Sequence, residues 1–197
     1  MFTGIVEAIG VVTAVAVDTA GMRLTVEAPQ LAPWLKIGDS IAVNGTCLTA
    51  VELTETSFSV DAVLETLAKT NTGDLSAGSQ VNLERPMKAD GRFDGHIVQG
   101  HVDGVGTVTG LDPEGDGKRF SITVDDGLKR YIVDKGSVTV DGVSLTVAAN
   151  TGEGFQIALI PHTLEATILG RRQVGDRVNI EIDVIAKYVE RLMGDRT

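Results

Sequence analysis

The sequence predicts an all-β protein: two tandem small barrels related by internal duplication, followed by a C-terminal helix. Three observations lead there. The 197-residue chain is written twice, at an offset that stays between 96 and 98 positions. Within each copy, runs rich in Val, Ile and Thr alternate with polar residues, the period of half-buried strands. Asn44-Gly45 and Asp141-Gly142 stand at equivalent places between two such runs, where a tight hairpin needs positive φ. A period near 97 residues is too long for a solenoid unit, so each copy needs its own core. About six short strands in that length make a small closed barrel or a sandwich, and closure removes exposed sheet edges.

In chain order, strands are expected over 4–16, 22–28, 40–44, 47–54, 57–63 and 80–84. GIVEAIGVVTAV (4–15) lies over GHVDGVGTVTGL (100–111), and LTVE (24–27) over ITVD (122–125). SIAVNGTCLT (40–49) lies over SVTVDGVSLT (137–146), and ETLAKTNTGDLSAGSQVNLE (65–84) over HTLEATILGRRQVGDRVNIE (162–181). Helical turns are expected near Pro33, at Glu65 and at Pro161; proline suits a first helical position, where its missing N–H has no partner anyway. Arg85 to Asp94 is polar, carries Pro and Gly, and falls outside the repeat. The division this gives is barrel 1–86, connector 87–96, barrel 97–183 and helix 184–197. In that helix Ile185, Tyr188, Val189 and Leu192 recur at one-face spacing. A helix of about ten residues is short of independent stability, so the stripe needs a partner: the chain's own barrels, or other copies of the chain.

Composition narrows the function. Hydrophobic residues make up 43% of the chain and charged ones 22%, too apolar for a disordered chain and too evenly broken for a membrane span. The formal charge of −10 argues against nucleic acid as the partner. MFTGIVEAIG does not read as a secretory signal, and the lone Cys47 cannot close an internal disulfide. A cytoplasmic setting is therefore expected. Glycines 104, 106 and 110 miss the dinucleotide spacing, no Cys/His cluster has metal spacing, and Asp112 and Asp116 mark a solvated turn. No metal and no cofactor are expected.

The repeat points to the site. If the barrels hold similar ligands, pocket residues should recur. Three stretches do: Gly4, Ile5 and Val6 with Gly100, His101 and Val102; Cys47, Leu48 and Thr49 with Ser144, Leu145 and Thr146; and Asp61, Ala62, Val63, Leu64, Glu65 and Thr66 with Ala158, Leu159, Ile160, Pro161, His162 and Thr163. Backbone groups and a hydroxyl or thiol beside apolar residues suit a flat heterocycle with amide-like edges. The differences say more. Cys47 faces Ser144, Ile5 faces His101, and Pro86 faces Asp183. Two sites that bind alike but differ in acid–base equipment suit two identical ligands treated differently. His101 brings the one side-chain type of this set suited to acid–base work near neutral pH, and Asp183 is a candidate to orient it or to act on Ser144, or else a helix N-cap.

MFTGIVE, NGTCLT, GHIVQGHVDG, DGVSLTV, the LIPHTLEAT stretch and VNIEIDVIAKYVERL together resemble the riboflavin synthase family of trimeric, two-barrel type. The resemblance runs over essentially the whole chain. It implies two six-stranded Greek-key barrels and a C-terminal helix that joins three subunits. Each barrel would bind one 6,7-dimethyl-8-ribityllumazine, and one lumazine would give a four-carbon unit to the other. The products would be riboflavin and 5-amino-6-ribitylamino-uracil. The implied functional positions are Cys47, His101, Ser144, Thr146 and Asp183, with Phe2 and Thr3 at the N-terminal tip and Lys135 near the ligand. Lumazine synthase is a partner that the resemblance admits. Many relatives carry two cysteines where this chain has Thr46-Cys47. Two other readings stand beside this one: a non-catalytic lumazine- or flavin-binding fluorescent protein of the same fold, and a flavin-binding barrel module of an oxidoreductase.

Overall fold

The structure is a computed structural model that describes residues 1–194; the last three positions of the expected helical segment, 195–197, lie outside the described residues. Twelve strands close into two barrels. The first contains β1 (Ala8–Val17), β2 (Gly21–Glu27), β3 (Ser40–Val43), β4 (Thr46–Leu53), β5 (Ser57–Val63) and β6 (Gln80–Glu84). The second contains β7 (Gly104–Glu114), β8 (Gly117–Thr123), β9 (Ser137–Val140), β10 (Val143–Asn150), β11 (Gly154–Leu159) and β12 (Arg177–Ile182). Around the first barrel the neighbours run β1-β2-β5-β4-β3-β6, and the second repeats that order. Every pairing is antiparallel.

The alternation seen in the sequence becomes inside and outside. Leu24 and Val26 on β2, Phe58 and Val60 on β5, and Val81 and Leu83 on β6 fill one core. Phe120, Ile122, Phe155, Ile157, Val178 and Ile180 fill the other. Each such side chain removed from water contributes roughly 1.5–3 kcal/mol. Register shifts on β1 between Val12 and Ala14, and on β7 between Val108 and Gly110, mark bulges that bend a strand enough for a small barrel to close. The expected helical turns form at Ala32–Trp34, at α1 (Leu64–Lys69) and, after the one-turn α2 (Asp126–Lys129), at α3 (Pro161–Ala166).

One boundary departs from expectation. β1 begins at Ala8 rather than Gly4: Glu7 N still donates to Leu83 O of its own barrel, but residues before it reach across to the other copy. Phe2 exchanges both backbone hydrogen bonds with Val98, N to O at 2.7 and 3.1 Å. Gly4 O accepts from Ser144 N at 2.7 Å, and the equivalent Gly100 O accepts from Cys47 N at 2.9 Å. The two hairpin turns meet on the same axis, with a Cβ built on Gly45 falling 2.6 Å from Gly142 N.

Asparagines seal this seam in matched pairs. Asn82 donates to Asp141 O and accepts from Ile168 N; Asn179 donates to Asn44 O and accepts from Asn71 N. The symmetry breaks at Asn44/Asp141. Asp141 is fully buried and receives both Nε and Nη2 of Arg172, at 3.0 and 2.6 Å. Burial pushes the Asp141 carboxyl up, against the pull of that guanidinium.

The last helix, α4 (Val184–Met193), is capped by Asp183, whose Oδ1 accepts from Ile185 N. Lys187 pairs with Asp103, and Glu190 meets Tyr131 and Arg130, so one face is tied to the second barrel. The apolar stripe lies on the other face. Ile185, Tyr188, Val189 and Leu192 are 58, 64, 47 and 85% exposed, so the chain's own barrels do not cover it. Among the described residues no helix is long and apolar enough to cross a membrane.

Candidate functional site

The crossed tips decide what surrounds each reactive side chain. Phe2 and Val98 are buried together with Ala42 and against Cys47, and Val6 packs on the core of the second barrel. Gly4 and Val6 thus join the second barrel, Gly4 at Ser144 and Val6 on its core, while Gly100 joins the first at Cys47. A barrel is not finished by its own repeat. It is finished by its twin's.

A glutamate at the end of the last strand anchors each tip. Glu84 accepts from Thr3 N, Thr3 Oγ1 and Gly4 N at 2.7, 2.9 and 3.0 Å, and Glu181 accepts from Gln99 N at 2.7 Å. Both glutamates are buried, which pushes their carboxyls above the ordinary range while the N–H donors pull them back. They recur at equivalent places in VNLE and VNIE. That is the signal that could have singled them out.

The imidazole that meets Ser144 belongs to His96. Its Nδ1 lies 2.8 Å from Ser144 Oγ. Burial pushes the His96 ring below its ordinary value, and the negative charge of Asp183 opposes that shift. Ser144 and His96 are therefore direct partners. His101 follows Gly100 on the tip that bonds Cys47, and it is exposed. Within a single chain, Ser144 therefore has His96 rather than His101 as its imidazole partner. Cys47 is free and half-buried. His96 lies in the connector, outside the aligned repeat stretches; GHIVQGH, with two of the three histidines, is the signal in the sequence that marks it.

The other expected residues fall into two groups, with Asp61 and Lys135 apart. Leu48, Ala62 and Leu159 are buried in the cores, and Leu145 packs against one, so they can offer a ligand little beyond backbone groups. Thr49, Val63, Leu64, Glu65, Thr146, Ala158, Ile160, Pro161 and His162 are exposed, with Thr66, Val102 and Thr163 half-buried, around the strand ends and the short helices. Asp61 is engaged by Arg23 at 2.7 and 2.8 Å, a pair that holds its carboxyl below the usual range. Lys135 is exposed and adopts φ +65° just before β9.

Concavities follow these groups only in part. Thr3, Ile5 and Ser40 line a cavity of about 520 Å³ with Trp34, Met87 and Arg92. Asp61, Ala62 and Val63 line another of about 430 Å³. A third, of about 630 Å³, lies in the seam among Asn71, Asp74, Arg171 and Arg177, and touches none of the expected residues. Among the described residues, no three His, Cys, Asp or Glu side chains are grouped to hold a metal ion.

The lumazine binding domain family matches this chain twice, over residues 3–86 and 99–183. The fold and the paired tips therefore define a tandem lumazine-binding-domain protein. Riboflavin synthase of Mycobacterium tuberculosis H37Rv is 48% identical over 197 residues, 98% of each chain. That of Bacillus subtilis 168 is 44% identical, over 98% of this chain and 90% of its own length. That of Schizosaccharomyces pombe is 43% identical, over 98% and 94%. The chain belongs to the riboflavin synthase family. Its fold is also that of LumP, seen in crystals with riboflavin (TM-score 0.86, 25% identity) and with 6,7-dimethyl-8-(1'-D-ribityl) lumazine (0.84, 24%), covering 92% of this chain and 99% of that one.

Proposed function

We propose that this protein is a riboflavin synthase, an enzyme of the transferase class. It takes two molecules of 6,7-dimethyl-8-ribityllumazine, moves a four-carbon unit from one to the other, and releases riboflavin and 5-amino-6-ribitylamino-uracil. Atoms balance between the two substrates and the two products, so no water, oxidant or cofactor enters the equation. One observation carries the reading: a complete lumazine binding domain occurs twice in a chain that is 48% identical, end to end, to a riboflavin synthase. The fluorescent-protein alternative rests on neighbours at 24 and 25% identity, which share the fold.

The chemistry explains why two similar sites are needed. Holding both reactants in position supplies roughly 7–11 kcal/mol of the barrier, and acid–base help adds about 10²–10⁴-fold. The C-terminal barrel, with Ser144 and Asp183, handles proton transfer and nucleophile activation on one lumazine, and the N-terminal barrel, with Cys47 and Thr49, holds the other. The proposed domain division is 1–86, 87–96, 97–183 and 184–197. That Ser144 has His96 rather than His101 as its partner within one chain supports a reaction centre shared between subunits, where the N-terminal barrel of one brings His101 to the C-terminal barrel of its neighbour. The uncovered stripe on α4 supports a homotrimer joined through that helix, and the protein works in the cytoplasm. Association with lumazine synthase is a further partner of this reading. Incubating the purified chain with the lumazine alone should yield riboflavin, with two lumazines bound per chain. One lumazine bound and no riboflavin formed would favour the fluorescent-protein reading.

A further inference from the structure

The three histidines have unequal surroundings. His101 and His162 are exposed, whereas His96 is half-buried with Nδ1 2.8 Å from Ser144 Oγ. The connector holds it there by its backbone. His96 N donates to Thr3 O at 3.2 Å, and Val98 is paired with Phe2 on the other side. Gly95 allows the approach, since a Cβ there would fall 2.1 Å from Thr3 O and 2.9 Å from Ser144 Oγ. Cys47, the counterpart of Ser144, has no such ring bonded to it among the described residues. The imidazole is thus supplied to one member of a repeated pair by the connector between the barrels. Asp183 is the charged group that acts on the ring.

We propose that His96 is a positioning residue for Ser144, with Nδ1 accepting the Ser144 hydroxyl and aiming its oxygen lone pairs at the substrate. This rests on the reaction proposed above. In the step it serves, a C–H bond of the lumazine C7 methyl breaks and an O–H bond forms on Ser144. The original Ser144 O–H bond breaks, and an N–H bond forms on Nδ1. The electron pair stays on the substrate carbon, and the proton returns to the pyrimidine that leaves. Nothing is oxidised or reduced.

The test uses the full chain in its native assembly, with the lumazine as probe. His96→Ala should lower kcat about 10²-fold, the lower end for a lost acid–base relay, with KM held within about threefold. It should also abolish the acid limb of the kcat profile. His96→Asn, which can hold the hydroxyl but not take its proton, should recover part of kcat without restoring that limb. In a Ser144→Ala background, His96→Ala should have no further effect, since residues acting as a unit are non-additive. A kcat for His96→Ala within about twofold of the parent, a loss confined to KM, or full additivity with Ser144→Ala overturns the proposal. Should alanine unfold the connector, His96→Asn is judged by the same limb and the same additivity. A parent that makes no riboflavin would sink the assigned reaction instead, and is distinguishable because no variant is needed to see it.

Discussion

Gly100→Ala tests the crossed tips directly. Gly100 adopts φ +76°, and a Cβ built there falls 2.6 Å from Cys47 Cβ and 2.9 Å from Cys47 N, the atom that donates to Gly100 O. Left-handed backbone costs a residue with a side chain about 1–2 kcal/mol. Overpacking a closed contact adds about 1–3 kcal/mol, so the sum is about 2–5 kcal/mol. For a chain of this size each kcal/mol lowers Tm by about 2–4 °C, which places the fall at about 4–20 °C. Gly78→Ala supplies the control, because Gly78 has φ +92° but nothing within 4 Å of its added Cβ. It should lose the conformational part alone, about 1–2 kcal/mol. Thermal melts followed by circular dichroism measure both, and a thiol-reactive reagent should reach Cys47 faster in Gly100→Ala alone. Equal melting shifts for the two variants, with unchanged thiol reactivity, would refute the crossing of the second tip onto the first barrel.

Arg172→Met leaves Asp141 fully buried without its cation. It should destabilise the fold by about 3–5 kcal/mol, read by urea denaturation; a midpoint close to the parent's would contradict the seam. Glu84 and Glu181 have folded-state carboxyls raised by burial. Their contribution to stability is therefore full below the ordinary glutamate range and is lost as pH rises through the raised values. Melting curves of Glu84→Gln should lose part of that slope, and an unchanged pH profile would count against it. His96 is pushed below its ordinary value by burial, so the acid-side decline of riboflavin formation should fall below the ordinary imidazole value. A decline that begins above that value would contradict its burial. If α4 joins subunits as proposed, Leu192→Glu on its exposed stripe should reduce the native mass to that of one chain in sedimentation while leaving the barrels folded. A mass identical to the parent's would remove the helix from the assembly.

Much of the fold was legible because it depends on local periodicity. Alternation along LTVE and ITVD placed inward residues such as Leu24, Val26, Ile122 and Val124, all of which are buried. Asn44-Gly45 and Asp141-Gly142 form the hairpin turns their sequences require, with φ of +46° and +77°, and +46° and +78°. Pro161 opens α3. The site was legible only as a set of repeated positions. Nothing in the spacing of GIVE and GHVD says that each tip serves the opposite barrel, since hydrogen bonds such as Ser144 N to Gly4 O join segments that are far apart in the chain.

The sequence by itself determined that there are two copies of one barrel, where the turns fall, and that the copies differ in their reactive side chains, because identity and period survive without knowledge of distant contacts. Only the tertiary structure decided which copy completes which, that His96 rather than His101 meets Ser144 within one chain, and that the stripe on α4 stays uncovered. Those outcomes depend on how closed barrels dock through glycines, asparagines and a buried Asp141–Arg172 pair. Docking energy arises from surfaces that come into existence only after each barrel has closed.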